Sequence, residues 1–150
     1  MGHWVLSGPQ FSALWARTGQ DRIPYPFKVT STLATADEYE AQQRRIRADF
    51  SGPEHDPLGL ALLVLAEPDL RIEISGSAGV DGGASIRMTG ALARGHGIAA
   101  VQHPGAEVVI RSCTAAIPCP RARAPVMRIE APPSTPADPE ISIRLSLIHI

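Results

Sequence analysis

Apolar residues follow two different periods along this chain, and the change falls at Pro68. Before it they recur at helical spacing; after it they alternate with polar residues, as in a half-buried strand. Three helices are predicted from their ends. Ser7-Gly8-Pro9-Gln10 has the form of a capping box, with Leu6 and Phe11 placed as a hydrophobic staple. Leu14, Trp15 and Thr18 continue the helical face, and Gly19 suits a left-handed stop. Thr35-Ala36-Asp37-Glu38 is a second capping box, followed by Tyr39, Gln43, Ile46 and Phe50 on one face and Arg44, Arg45 and Arg47 toward water. Asp56 as cap and Pro57 at the first position open a third helix. Its body, residues 58–66, is apolar nearly all round, which predicts that Leu60, Leu62, Leu63 and Leu65 are all buried against the Ile72 and Ile74 face of a sheet.

That sheet is read from the second period. Leu70, Ile72 and Ile74 alternate with Arg71, Glu73 and Ser75; Ile86, Met88, Gly90 and Leu92 alternate with Arg87, Thr89, Ala91 and Ala93. Between them lies a loop from Ser75 to Ala84 rich in glycine (Gly76, Gly79, Gly82, Gly83). Gly95-His96-Gly97 reads as a turn, 98–102 as a strand, His103-Pro104-Gly105 as a turn and 107–113 as another strand, with 26–31 as an added edge strand. Short turns force antiparallel pairing. Helices first and a meander afterwards make an α+β class: N-terminal helices packed on an antiparallel β-meander. The stretch 118–150 differs, because half of the chain's 14 prolines lie between Pro118 and Pro139 and no strand or helix period is read there. The ending Leu145-Ser146-Leu147-Ile148-His149-Ile150 also resembles a translated sequencing-adaptor tail. The expected division is therefore a domain over 1–117 and a disordered or artefactual tail over 118–150, with the natural C-terminus missing.

Composition narrows the function classes. The chain has 150 residues, 44% of them hydrophobic and 19% charged, which fits one soluble globular domain. Fourteen basic and fifteen acidic residues give a net charge of −1, without the basic excess that nucleic acid or an anionic membrane demands. The longest apolar run, residues 60–66, is far short of a membrane span, and the first residues carry neither a signal-peptide pattern nor a myristoylation motif. Two cysteines, Cys113 and Cys119, make no disulfide scaffold, so a cytoplasmic location is expected. A single lysine, Lys28, against thirteen arginines reflects a codon bias toward high GC.

Catalytic patterns are sought without success. Gly76-Ser77-Ala78-Gly79 lacks the first glycine of a nucleophile elbow, and it leads into a strand where the elbow requires a helix. The same loop has no Walker lysine for a phosphate. Cys113 and Cys119 miss zinc-ligand spacing; His55, His96 and His103 fall in loops or turns; Asp81 and Glu107 have no acid–base partner. No enzyme, cofactor or metal is expected.

One pattern remains: W-V-L-S-x-x-x-F-x-x-L-W over residues 4–15, Pro24-Tyr25-Pro26-Phe27, the T-A-D-E helix over 35–50, L-A-L-L-V-L-A-E-P-D-L-R-I-E-I over 60–74, G-A-L-A-R-G-H-G-I-A-A-V-Q over 90–102 and V-V-I-R-S-C over 108–113. Together they resemble the EspG family associated with ESX (type VII) secretion, from Trp4 to Pro118. The resemblance implies a central antiparallel sheet flanked by helical bundles in two pseudo-twofold halves, of which this chain carries the first. It also implies a cytosolic chaperone that binds the apolar tip of the PPE protein in a PE–PPE heterodimer until export. On that reading the partner meets the sheet and its glycine loop. The candidate partner-binding residues are Gly76, Gly79, Asp81, Gly82 and Gly83, with an outward polar rim of Arg71, Glu73, Arg87 and Thr89 beside Ala91 and Ala93. No nucleic acid and no membrane insertion are expected, and the unpaired edge of a half-sheet invites self-association. The alternative is a small-molecule carrier domain without catalysis. A pocket with convergent polar groups would favour the carrier, and an exposed apolar sheet face the chaperone.

Overall fold

The computed structural model describes residues 2–77, 85–104, 107–114 and 141–147. Three helices lie on one face of a six-stranded antiparallel sheet, the α+β arrangement that the two periods predict. The chain starts with β1 (His3–Leu6) and turns at once into α1 (Gly8–Trp15). Ser7 caps α1: its hydroxyl accepts from the Gln10 amide at 3.3 Å, and Gln10 Oε1 accepts from the Ser7 amide at 2.9 Å. A short 3-10 turn, Ala16–Thr18, ends at Gly19 with φ of +81°, the left-handed stop that only glycine adopts freely. Thr35 and Glu38 close the second capping box on α2 (Ala36–Asp49) at 3.2 and 3.3 Å. A second 3-10 turn, Pro53–His55, runs into α3 (Asp56–Ala66), so the cap position expected for Asp56 is held by His55, and Asp56 lies inside the first turn.

The strands are β2 (Leu70–Ser77), β3 (Ser85–Ala93), β4 (His96–Gln102), β5 (Val108–Thr114) and β6 (Ile141–Leu147), in the order β1-β5-β4-β3-β2-β6. The β3–β4 turn sits one residue earlier than the glycines suggest. Arg94 and Gly95 both have positive φ (50° and 80°), and Ala93 pairs with His96, which makes a two-residue hairpin and leaves His96 and Gly97 inside β4. Asp69 supports that turn: its Oδ2 accepts from the Arg94 amide at 3.2 Å. The edge strand expected over 26–31 is not formed, and β1 takes the edge on β5, with Trp4 opposite Ile110. Residues 141–147 are a strand on β2, where the proline-rich context argued against one; the alternation Ile141, Ile143, Leu145 carries a period of two. The rest of 118–150 lies outside the described residues.

Strand alternation assigns the two faces. Toward the helices point Leu6, Ala91, Ala93, Ile98, Ala100, Val108 and Ile110, all buried with Phe11, Leu14, Trp15, Phe27, Leu58, Leu62 and Leu65. Phe11 centres this core, stacked on Trp15 at 5.8 Å and edge-on to Phe27 at 5.6 Å. The alanines of β3 and β4 are small, which lets α3 pack close over those two strands.

This corrects the expectation for α3. Leu62 and Leu65 are buried, but Leu60 and Leu63 are 48% and 49% exposed. The helix also packs on the Ala91, Ala93, Ile98 face, opposite to the Ile72 and Ile74 face. An all-round apolar helix gives no direction in sequence, and a sheet layer on one side leaves about half of its circumference uncovered.

Candidate functional site

The sheet's second face has no helix on it among the described residues. Leu70, Ile72 and Ile74 of β2 pair in register with Leu92, Gly90 and Met88 of β3, so these six lie on one face. Ile72 is 38% exposed, Ile86 52% and Val5, at the β1 edge, also more than half. A shallow cavity of about 390 Å³ opens on this face above Leu70, Ile72, Gly90, Leu92, Gly97 and Ala99. Gly90 and Gly97 contribute no side chain to its floor. A Cβ at Gly90 would make only ordinary contact with Ile72 Cβ at 3.9 Å. Arg111, paired with Ala99, is the one charged residue lining it.

The polar rim expected from the sequence lies on the other side. Glu73 is 8% exposed and Thr89 2%; both face the helix layer, where Thr89 Oγ1 donates to the Ile72 carbonyl at 3.3 Å. Arg71 reaches under α3, its Nη2 donating to the Leu65 carbonyl at 2.7 Å and its Nη1 lying 3.7 Å from Glu73 Oε1. The pair ties the C-terminal turn of α3 to β2. Arg87, partly buried, shares this face through its pairing with Gln102. Gly76 is a paired strand residue opposite Ile86. Gly79, Asp81, Gly82 and Gly83 lie outside the described residues. The outward rim of Arg71, Glu73, Arg87 and Thr89 is therefore replaced by an outward apolar face.

Sequence reasoning missed that face because both sides of the meander are apolar over β4 and β5. The usable signal was size: Ala91, Ala93 and Ala100 stand where a helix must approach, whereas Ile72, Ile86 and Met88 do not. The histidines do not converge: His55 packs its ring against Phe50 at 4.7 Å, His96 opens β4, and His103 donates its backbone amide to Glu107 across a turn. Among the described residues no three His, Cys, Asp or Glu side chains gather as a metal site, and no helix is long and apolar enough to cross a membrane.

Fold and surface define a class: a helix-backed antiparallel sheet presenting a broad apolar face for contact. Residues 7–138 match the EspG family, and the chain belongs to it. The match continues past Pro118, where the sequence resemblance was traced. The EspG family is associated with ESX (type VII) secretion and is of chaperone type. Comparison with curated proteins gives no match.

Proposed function

We propose that this chain is a cytosolic chaperone of type VII secretion that binds the PPE protein of a PE–PPE heterodimer before export. The contact surface in this reading is the uncovered apolar face over β2, β3 and β4. That face is the observation that carries the proposal. Monomeric proteins rarely leave more than a few hundred square ångströms of contiguous apolar surface in water. An exported protein with an exposed apolar tip presents the same problem, and each surface removes the other from solvent. A helical tip laid across the sheet would meet backbone at Gly90 and Gly97, flanked by Leu70, Ile72 and Leu92. Arg111 at the margin would orient a partner carrying a carboxylate there. Chaperoning of this kind needs binding and release, which suits a shallow apolar face better than a deep, polar-locked site.

The test is co-expression of the chain with a PE–PPE pair and size-exclusion chromatography of the product. Co-elution of three proteins is expected, abolished by Ile72→Asp with Ile86→Asp and unchanged by Arg44→Glu on the far side of α2. Failure of the three to co-elute, or co-elution that survives both aspartates, overturns the proposal.

A further inference from the structure

A second cavity, of about 350 Å³ and open to solvent past Arg17, Asp56 and Leu63, is lined by the helix layer. Its walls come from Leu14 at the end of α1, Phe50 after α2, and Leu58, Leu62 and Leu63 of α3. Two features set it apart from a packing defect. The first is Gly59, a glycine inside a helix, where alanine would hold the helix better. Nothing in the protein requires it: a Cβ at Gly59 meets no heavy atom within 4 Å, and its φ is not positive. Gly59 is exposed and lines the cavity, so its open flank borders that space. The second is Arg17, which lines the same cavity and is held there by Nη1 donating to the Phe50 carbonyl at 3.0 Å. A guanidinium has five N–H donors, and this bond uses one. The His55 ring, packed on Phe50, continues the wall, and half-exposed Leu60 and Leu63 line the mouth.

We infer that this cavity binds an aliphatic monocarboxylate of medium chain length. The chain would lie along Leu14, Leu58, Leu62 and the open flank of Gly59, with its carboxylate on Arg17. Leucine walls with Arg17 among the polar groups at the rim, beside Thr18, His55 and Asp56, can take that amphiphile, and the volume lies at the low end of the roughly 300–1,000 Å³ of small-molecule pockets, too small for a sterol or a dinucleotide. Asp56 also lines the cavity, and its carboxylate opposes the ligand's. The inference is independent of the partner proposal, since the apolar sheet face lies on the opposite side of the molecule.

The experiment is calorimetric titration of the full chain with decanoate, 1-decanol and decylamine below their micellar ranges. Decanoate is expected to bind one per chain, about tenfold tighter than the alcohol or the amine, the difference expected of one charge-assisted contact. Arg17→Gln should lose that tenfold preference, Asp56→Asn should raise decanoate affinity, and Gly59→Leu should abolish binding. Gly59→Ala, which fills less space, should weaken binding while keeping the fold. Ile72→Asp on the sheet face should bind decanoate as the unaltered chain does. No decanoate binding, equal binding of all three amphiphiles, or unchanged binding in Gly59→Leu overturns the inference. So does loss of binding in Ile72→Asp, which would place the ligand on the sheet.

Discussion

The side chain of Gln102 pairs with the backbone of Lys28 as a neighbouring strand would. Its Oε1 accepts from the Lys28 amide at 2.9 Å, and its Nε2 donates to the Lys28 carbonyl at 2.6 Å. The segment after Pro26 thus needs no place in the sheet, and Phe27 is carried into the core beside Phe11. Gln102 is itself buried. Gln102→Leu leaves both Lys28 groups without their partner and should cost about 1–3 kcal/mol. Gln102→Glu, which turns the donor into an acceptor facing a carbonyl, should cost at least as much. Urea denaturation of the two variants checks both.

The two sides of α3 should separate cleanly in a stability scan. Leu62→Ala and Leu65→Ala remove fully buried side chains and should each cost about 2–5 kcal/mol. Leu60→Ala and Leu63→Ala should change stability far less, within about 0.5–1 kcal/mol. Equal losses at all four positions would show a helix enclosed on every side.

Arg94 is the one non-glycine residue with positive φ among the described residues, and the turn type that it occupies favours Asn-Gly. Arg94→Asn should raise the melting temperature, with a gain of about 0.5–1 kcal/mol from relief of left-handed strain. Arg94→Val should lower it. Thermal unfolding followed by circular dichroism is sufficient.

An apolar face open to water should bind a hydrophobic fluorescent dye in the native state. Ile72→Asp combined with Ile86→Asp should reduce that fluorescence, with a stability loss of about 0.5 kcal/mol at half-exposed Ile86 and about 1 kcal/mol at the more covered Ile72. A drop in stability of several kcal/mol would show that the face is covered.

What the sequence made legible was local. Ser7 with Gln10, Thr35 with Glu38, and Gly19 are recognisable because a helix end must satisfy its own amides and carbonyls within a few residues. The alternation from Leu70 to Leu92 likewise fixes which residues share a face. Which face meets the helices is a tertiary choice, made by the bulk of Ile72 and Ile86 against the smallness of Ala91 and Ala93. The candidate rim of Arg71, Glu73 and Thr89 went wrong at that step, because polar residues were assigned to water although Arg71 and Glu73 satisfy each other beneath α3. The short β1 strand has too few residues to show a period, and its partner lies more than a hundred positions away.

That separation has a consequence for the order of events during synthesis. His3–Leu6 is synthesised more than a hundred residues before Val108–Arg111, its strand neighbours among the described residues. The helices and the β2–β3–β4 meander are complete before the opposite rim of the sheet can close. In that interval Leu6, Phe11 and Trp15 lack the part of their core that Val108 and Ile110 supply. The nascent chain therefore passes through a stage in which its own apolar surfaces need protection from aggregation.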